Sequence, residues 1–309
     1  MNKVGIKTWE GDTKKHRGIV LDSVNGHDVI ECEACGFKHI IPIPSDKVLH
    51  DLYREEYYTA EKPLYFKRME EDLDWWNITY TMRLAIFEKY LSKDRRQLLD
   101  IGSGPGYFLL QAKKRGWDGT GIEPSRQASA YSKKRGLTII ESFLNKNTAK
   151  ELGGFDVIHM SEVMEHLPDP FLMIQLSYDL LRPGGLVCVV SPNDYSPLQK
   201  LLRKDHAYKP WWVVPPHHIN YFDFGSIARL LQKNSFDVIE KIGTFPMEFF
   251  LLAGENYVGN DVLGRAVHEK RKNFETNLYK SDQKYLEELY RSFAQKGIGR
   301  EFIVIGKKK

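Results

Sequence analysis

The sequence predicts an α/β protein built on a doubly wound, mostly parallel seven-stranded sheet. Three observations predict this class. Short apolar runs alternate with helix-like segments after residue 96, the first run ends in a glycine-rich loop, and two strand-like runs stand near the chain end. Strands that alternate with helices form a parallel sheet, because each crossover lays a helix against one of its faces. The two late strands predict an antiparallel C-terminal edge.

The predicted strands are short apolar runs, and the first of them, 97–101, stops at the glycine-rich loop. The helix after it, 108–115, ends at Gly116, and the helix after the fourth strand ends at the turn 182–185. Turn residues bound each run, as is typical of strands. The later strands cover residues 117–122, 137–140, 155–160, 186–191, 236–242 and 301–305.

The chain divides into an N-terminal segment of short strands and turns, a helical cap, a sheet core, a helical insert and a last core strand. These segments cover residues 1–50, 51–95, 96–246, 247–295 and 296–309. In the cap, Leu73, Trp76 and Tyr80 recur at three- and four-residue steps, which is typical of a helix with one buried face. We therefore expect one sheet domain with an N-terminal extension.

Composition excludes several classes of protein. With 309 residues, 42% hydrophobic and 28% charged, the chain has an ordinary globular composition. A net charge of +4, with basic and acidic residues interleaved, gives no strong nucleic-acid signal. No apolar run approaches the about 20 residues of a membrane span, and the start at Met1 to Gly5 leads into polar sequence without a secretory signal. Three cysteines are too few for a disulfide scaffold, so we expect a cytoplasmic protein.

The glycine-rich loop after the first strand is the most informative segment for function. Asp100 precedes a loop with glycines at 102, 104 and 106, and position 107, where a dinucleotide fingerprint has its third glycine, is Tyr107. A carboxylate beside the loop repels a pyrophosphate and attracts an ammonium or sulfonium group. Glu123, at the end of the second strand, can accept hydrogen bonds from a ribose diol. A cationic nucleoside without phosphates fits both acids, and S-adenosyl-L-methionine is that kind of molecule.

These residues give the chain a family resemblance. Together with the segments 155–167 and 181–185, the loop resembles class I S-adenosylmethionine-dependent methyltransferases of the ubiquinone-biosynthesis-type, methyltransferase 23-like group, which have a Rossmann-like fold. The resemblance covers roughly residues 96–192. It implies that the loop holds the methionine part, that Glu123 holds the ribose, and that residues after the third and fourth strands flank the adenine and the sulfonium. The implied cofactor residues are Asp100, Gly102, Ser103, Gly104, Gly106, Glu123, Ser142, Phe143, Met160 and Ser161.

The sequence departs from the family at the adenine site. Many members have an acid just after the third strand, whereas here Glu141 stands one residue earlier than Ser142. A shift of one residue is one way for Glu141 to take that role.

Three histidines are candidates for a general base that activates a hydroxyl acceptor. Histidine titrates near neutral pH, which suits proton transfer. His166 lies just beyond the fourth strand, and His217 and His218 follow two prolines, of which His218 is slightly preferred. The alternatives are a helix-start histidine bonded to backbone and a loop that merely covers the sheet. Trp211 and Trp212 either pack in the core or line the acceptor pocket.

Cys32 and Cys35 form half of a zinc-ribbon motif, with His16, His27 and His39 nearby in sequence. The segment resembles the N-terminal knuckle of methyltransferases from glycan and antibiotic-sugar pathways, in which a first Cys-x-x-Cys pair precedes a second. The first pair is missing here. We therefore expect a degenerate, metal-free knuckle, with zinc as the alternative.

The sequence favours a methyltransferase that modifies a small polar acceptor on oxygen, such as a sugar or glycan intermediate. An RNA or protein methyltransferase is a second hypothesis, opposed by the lack of a continuous basic stripe. A non-catalytic cofactor-binding protein is a third hypothesis, opposed by the intact Asp100 and Glu123. An NAD-dependent enzyme is a fourth, opposed by Tyr107 and Asp100. The methylated atom, the acceptor and the oligomeric state stay open.

Overall fold

Two β-sheets and a layer of helices make up the computed structural model, which describes residues 5–11 and 15–309. Residues 1–4, on which the prediction of no secretory signal partly rests, lie outside the described residues. The strands are β1 (Ile6–Glu10), β2 (Lys15–Val24), β3 (His27–Cys32), β4 (Lys38–Ile41), β5 (Gln97–Ile101), β6 (Asp118–Ile122), β7 (Thr138–Ile140), β8 (Phe155–Ser161), β9 (Leu181–Pro192), β10 (Asn220–Tyr221), β11 (Phe236–Gly243) and β12 (Glu301–Lys308).

The helices flank the larger sheet and form the cap and the insert. They are α1 (Asp46–Asp51), α2 (Tyr65–Glu71), α3 (Leu73–Tyr90), α4 (Tyr107–Lys114), α5 (Arg126–Lys133), α6 (Lys146–Lys150), α7 (Pro170–Leu180), α8 (Pro197–His206), α9 (Phe224–Lys233), α10 (Glu248–Leu252), α11 (Asp261–Ser281) and α12 (Gln283–Gln295). A π-helix spans Leu52–Glu61 and a 3-10 turn spans Met164–His166. Within the described ranges, no helix is both long and apolar enough to cross a membrane.

The larger sheet has seven strands in the order β11-β12-β9-β8-β5-β6-β7. Strands β5 to β9 pair in parallel, and β12 pairs antiparallel with both β9 and β11. The predicted fold class is thereby confirmed. The antiparallel pairing comes from β12, which lies inside the sheet, while β11 forms the edge.

The central strands are buried on both faces, which explains their nearly continuous apolar sequence. Leu98 and Val157 pack into the apolar core on one face of the sheet, and Leu99 and Ile158 pack into the core on the other. Successive strand residues point to opposite faces, so each neighbouring pair divides between the two cores. Because both faces are covered, the cavity opens instead at the carboxyl ends of the strands, where the loops begin.

The smaller sheet joins the N-terminal segment to the core. Its five strands follow the order β1-β2-β3-β4-β10, so β10, from the region 96–246, extends a sheet that the N-terminal segment begins. The Ile40 amide donates to the Ile219 carbonyl over 2.9 Å. The cap and the insert also meet, because the indole of Trp75 in α3 donates to the buried Glu275 of α11 over 2.7 Å. The segment boundaries drawn from the sequence stay predictions.

Candidate active site

A cavity of about 540 Å³ opens at the carboxyl ends of β5, β6 and β8. Ligands in doubly wound sheets bind beyond the carboxyl ends of the strands, because the loops after neighbouring parallel strands diverge there. The π-helix, α2 and α3 of the cap supply aromatic side chains to its wall. The cofactor residues predicted from the sequence that line it are Asp100, Gly102, Ser103, Gly104, Glu123, Ser142, Phe143 and Ser161.

The glycine loop takes a backbone path that favours glycine. Gly102 and Gly104 have φ values of 69° and 52°, in the left-handed region. A Cβ on Gly102 would lie 2.6 Å from a methyl group of Val163, so a side chain there would displace the loop after β8. Gly106, with φ of 77°, precedes α4, and its missing Cβ leaves room for Leu137 and Ser132. Gly106 therefore shapes the turn without lining the cavity.

Glu123 lies at the end of β6 with only 4% of its surface exposed. Its two carboxylate oxygens accept hydrogen bonds from the backbone amides of Gly104, over 2.7 Å, and Ser125, over 2.8 Å. Burial raises the pKa of Glu123 to about 7, against the two amides, which lower it. Each oxygen keeps a second lone pair, so the carboxylate can accept two further hydrogen bonds from a diol.

Asp100 is linked to a buried arginine through a histidine that the sequence did not single out. Arg83 of α3, 2% exposed, donates to His159 Nε2 over 2.7 Å, and His159 Nδ1 lies 2.7 Å from Asp100 Oδ1. Because the guanidinium can only donate, His159 carries its proton on Nδ1 and donates it to Asp100. Burial lowers the pKa of His159, which favours this neutral form. Phe108 stacks on the imidazole with ring centroids 3.8 Å apart.

The remaining predicted cofactor residues differ in their positions. The hydroxyl oxygen of Ser103 is buried against Gly121 of β6, where a Cβ would lie 2.5 Å from it, and it has no hydrogen-bond partner among the described residues. The Phe143 ring lies 5.3 Å from that of His50, at the cavity wall. Met160 is fully buried in the apolar core and does not line the cavity, because alternation along β8 turns Ser161 toward it instead. Glu141 also lies off the cavity wall, 3.8 Å from Lys133 in an ion pair.

His166 is the one candidate base that lines the cavity. Its Nδ1 lies 2.7 Å from the backbone carbonyl of His217 and 2.7 Å from the hydroxyl of Tyr53. A carbonyl can only accept, so Nδ1 carries the proton and Nε2 keeps its lone pair. Burial lowers the pKa of His166 to about 4, and the ring is therefore neutral near pH 7. A neutral imidazole held in one tautomer can accept a proton.

His217 and His218 do not line the cavity, contrary to the preference for His218. The backbone carbonyl of His217 orients His166, and the ring of His218 packs edge-on against that of His166 with centroids 5.1 Å apart. Burial and the neighbouring His166 lower the pKa of His218 to about 2. The loop thus orients His166, and neither of its own imidazoles lines the cavity.

Two carboxyl groups after β8 border His166. Burial and mutual repulsion raise the pKa of Glu162 well above its ordinary value, and burial also raises that of Glu165. Ser191 donates to Glu165 over 2.9 Å, while Glu162 lines the cavity with a left-handed φ of 55°. Strained backbone of this kind clusters at functional sites.

Tyrosines of the cap form a wall of the cavity that sequence reasoning missed. Tyr53, Tyr57 and Tyr58 come from the π-helix, and Tyr65 begins α2. Burial raises the pKa of all four, to about 12 for Tyr57, so each hydroxyl keeps its proton as a donor. The aromatic composition of 51–66 was a signal for this wall.

The two candidate tryptophans of the acceptor site lie elsewhere. Trp212 is buried in a separate apolar cluster with Tyr195, Tyr221 and Val29, and Trp211 packs against it. Neither lines the cavity. Their packing role follows from β10 joining the smaller sheet, which draws residues 211–221 toward the N-terminal segment.

The residues present fit S-adenosylmethionine. The buried Glu123 offers two lone pairs where a ribose needs them, and the glycine loop leaves space that a Cβ would fill. Asp100 supplies negative charge beside the loop. An NAD-type pyrophosphate at the glycine loop would, in contrast, lie beside the carboxylate of Asp100.

Comparison with known proteins identifies the class. The model of the family described as "Methyltransferase domain" (methyltransferase 23) matches residues 70–241, more than half of the chain. The chain belongs to this family, which confirms the prediction of a class I S-adenosylmethionine-dependent methyltransferase.

Individual relatives are more distant. A ubiquinone biosynthesis O-methyltransferase of Histophilus somni is 37% identical over 102 residues, which cover 30% of this chain and 43% of that protein. One from Actinobacillus pleuropneumoniae serotype 7 is also 37% identical over 102 residues, which cover 30% of this chain and 44% of that protein. The chain thus spans less than half the length of these curated relatives. A solved S-adenosylmethionine-dependent methyltransferase of Archaeoglobus fulgidus shares the fold with a TM-score of 0.50 and 20% identity, covering 79% of this chain and 99% of that chain.

Proposed function

We propose that this chain transfers a methyl group from S-adenosylmethionine to a hydroxyl oxygen of a small, ring-bearing acceptor. The observation that carries the proposal is one cavity lined both by the buried acids Asp100 and Glu123 and by a neutral His166 held in one tautomer. The names of the curated relatives support oxygen as the methylated atom.

The cofactor half uses residues of β5, β6 and the loops after them. Glu123 accepts the two ribose hydroxyls, Asp100 attracts the cationic end, and Ser142 and Phe143 border the adenine. Arg83 and His159 hold the Asp100 carboxylate in place by a chain of hydrogen bonds. S-adenosylmethionine, when bound, supplies a sulfonium methyl group that a nucleophile attacks in line. The chain's own contribution is to position acceptor and donor and to exclude water.

In the acceptor half, His166 takes the proton from the attacking hydroxyl at Nε2. The His217 carbonyl and the Tyr53 hydroxyl fix its ring through Nδ1 and stabilise the imidazolium that forms. The carboxyl oxygen Oε1 of Glu165 lies 3.8 Å from His166 Nε2, close to the proton that Nε2 would carry. Glu165 is buried and does not line the cavity, so a proton passed toward it moves away from the reacting atoms without bulk water.

The cap side of the cavity fits a ring that carries hydroxyl groups. Aromatic faces stack on the apolar face of a sugar or on a planar ring, and protonated tyrosines and carboxylates pair with hydroxyls. Sugars and glycan intermediates are therefore the first acceptor class that we propose. Phenols are the second, supported by the unbroken aromatic wall of Tyr53, Tyr57, Tyr58 and Tyr65.

A methyl-transfer screen with isotopically labelled S-adenosylmethionine tests the proposal. Nucleotide sugars, free sugars, catechols, RNA and a protein extract are offered in parallel to the full chain. We expect label in the sugar arm or in the catechol arm. Label only in RNA or protein would support the macromolecular alternative, and no label in any arm, with intact cofactor binding, would support the non-catalytic one.

A further inference from the structure

A second polar cluster lies in the smaller sheet, apart from the cavity. His16 of β2, Cys32 of β3, Cys35 of the following turn and His39 of β4 bring one ligand atom each to within 4.8 Å of one another. All four side chains are buried, with exposures of 5%, 2%, 5% and 1%. Neither cysteine forms a disulfide bond. Two thiols and two imidazoles gathered in an otherwise apolar interior are the kind of ligand set that proteins use for a metal ion.

The pairing register brings these residues to one face of the sheet. Cys32 lies opposite Gly18, and Gly18 is two residues from His16. His39 lies opposite Ile30, which is two residues from Cys32. Residues opposite each other, and residues two apart on one strand, share a face. Neighbouring antiparallel strands thus bring together residues that are far apart in sequence.

The distances are those of a tetrahedral ligand set. His16 Nδ1 lies 3.7 Å from Cys32 Sγ, 3.5 Å from Cys35 Sγ and 3.0 Å from His39 Nε2. Around a tetrahedral zinc ion with its usual bond lengths, sulfur and nitrogen ligands are about 3.5 Å apart and two nitrogens about 3.3 Å apart. The three distances are therefore close to those between ligands of one zinc ion.

The protonation of His39 also suits a metal ligand. Its Nδ1 lies 2.9 Å from the Ile40 carbonyl, which can only accept, so this nitrogen carries the proton. Nε2 therefore points a lone pair at the cluster. Metal-binding histidines typically donate their other ring nitrogen to a carbonyl or carboxylate in this way.

We propose that His16, Cys32, Cys35 and His39 bind one Zn²⁺ ion in a closed, structural site. Two sulfur and two nitrogen ligands in tetrahedral arrangement are typical of zinc. The expectation of a metal-free knuckle rests on the absence of the first Cys-x-x-Cys pair. His16 and His39, from the strands on either side of β3, take the place of that pair.

A bound ion would stabilise the strand β10, whose Asn220 holds the turn that carries His166, the candidate base. His39 lies opposite Asn220 of β10, and the Asn220 side chain donates to the carbonyls of Met164, over 2.9 Å, and Leu167, over 2.7 Å. These carbonyls flank His166. The site therefore ties the N-terminal sheet to the turn that presents His166, without touching the cavity itself.

Metal analysis of the full chain, purified without chelator from zinc-supplemented medium, tests the proposal. We expect about one zinc per chain, and we expect Cys32→Ser and His39→Ala to lose most of it. His27→Ala, a histidine of β3 outside the cluster, and Cys188→Ala, a buried cysteine of β9, are matched controls that keep it. Equal zinc in Cys32→Ser and in the controls would overturn the assignment.

Cobalt substitution of the wild-type chain tests the metal site even if the variants fail to fold. We expect Co²⁺ to bind at about one equivalent, with thiolate charge-transfer bands and the strong visible bands of tetrahedral cobalt. Zinc near zero together with absent bands would overturn the site, as would a Cys32–Cys35 disulfide found by thiol titration. None of these readouts depends on methyl transfer.

Discussion

The two walls of the cavity are built in different ways. The cofactor wall comes from consecutive residues at the ends of neighbouring parallel strands, with Asp100 and the glycine loop after β5 and Glu123 after β6. The acceptor wall joins Tyr53 of the π-helix, His166 of a 3-10 turn and the backbone of His217 before β10. The first wall follows from sheet topology, whereas the second depends on packing between distant segments.

This difference separates binding from turnover. In the proposed reaction, residues of the cofactor wall hold the part of the ligand that does not react, so we expect their loss to weaken binding. Residues of the acceptor wall are proposed to act on the proton that leaves in the transition state, so we expect their loss to lower kcat. Variants of the two walls should therefore change different constants.

Glu123→Ala is expected to give the largest effect. It removes two charge-assisted hydrogen bonds to the ribose and should weaken S-adenosylhomocysteine binding about 1,000-fold. Isothermal titration calorimetry measures this, with Asp118→Asn, at the exposed start of the same strand β6, as the matched control. Equal affinity in the two variants would remove Glu123 from the site.

His166→Ala is expected to lower kcat about 100-fold, because a general base contributes roughly that factor or more. Cofactor affinity should stay within about twofold. His206→Ala, at the exposed end of α8, is the control. Tyr53→Phe should cost less than His166→Ala, because Tyr53 acts through the imidazole. A loss of cofactor affinity without loss of kcat would contradict the division between the walls.

Arg83→Met tests whether the cap supports the cofactor wall. Removing a buried cation that is bonded to His159 should lower the free energy of unfolding by about 3 kcal/mol and weaken cofactor binding about tenfold. Denaturant unfolding and calorimetry measure the two effects, with Lys89→Met on the exposed face of the same helix α3 as the control. Unchanged binding in a folded Arg83→Met protein would show that Asp100 needs no such support.

The pH dependence of cofactor binding should be the smallest of these effects. The pKa of Glu123 is raised to about 7 by burial, and the ionised form is the better acceptor for a diol. Affinity should therefore rise with pH through this range, by about threefold between about pH 6.5 and about pH 7.5. Glu123→Gln should flatten the profile. An affinity that falls as pH rises would show that the neutral acid binds the ribose.

Most of the cofactor residues that the sequence singles out lie together at the cavity, because the signals that point to them are local. A strand end, a glycine spacing and an acid at the next strand end are set within about 25 residues, which motif reasoning can interpret. Sequence reasoning missed Arg83, His159 and the tyrosine wall because their roles arise only when the cap packs on the sheet. The sequence assigns both Met160 and Ser161 to the site because both stand at the end of the fourth strand. A strand end alone does not show which of two neighbouring side chains faces the cavity.

The smaller sheet shows the same limit of sequence reasoning, because strand pairing assembles its cluster. A Cys-x-x-Cys motif is visible in the sequence, but the strand register that adds His16 and His39 to it is not. Likewise β10, two residues long, gave no pattern of its own, and it decides that Trp211 and Trp212 pack away from the cavity. Long-range pairing is the information that the local pattern lacks.

Calorimetric titration of the wild-type chain with S-adenosylhomocysteine, beside the same titration with NADH, tests the central claim most directly. The structure predicts one binding site per chain for S-adenosylhomocysteine, lost in Glu123→Ala, and no heat from NADH. Tight NADH binding with no response to S-adenosylhomocysteine would contradict it.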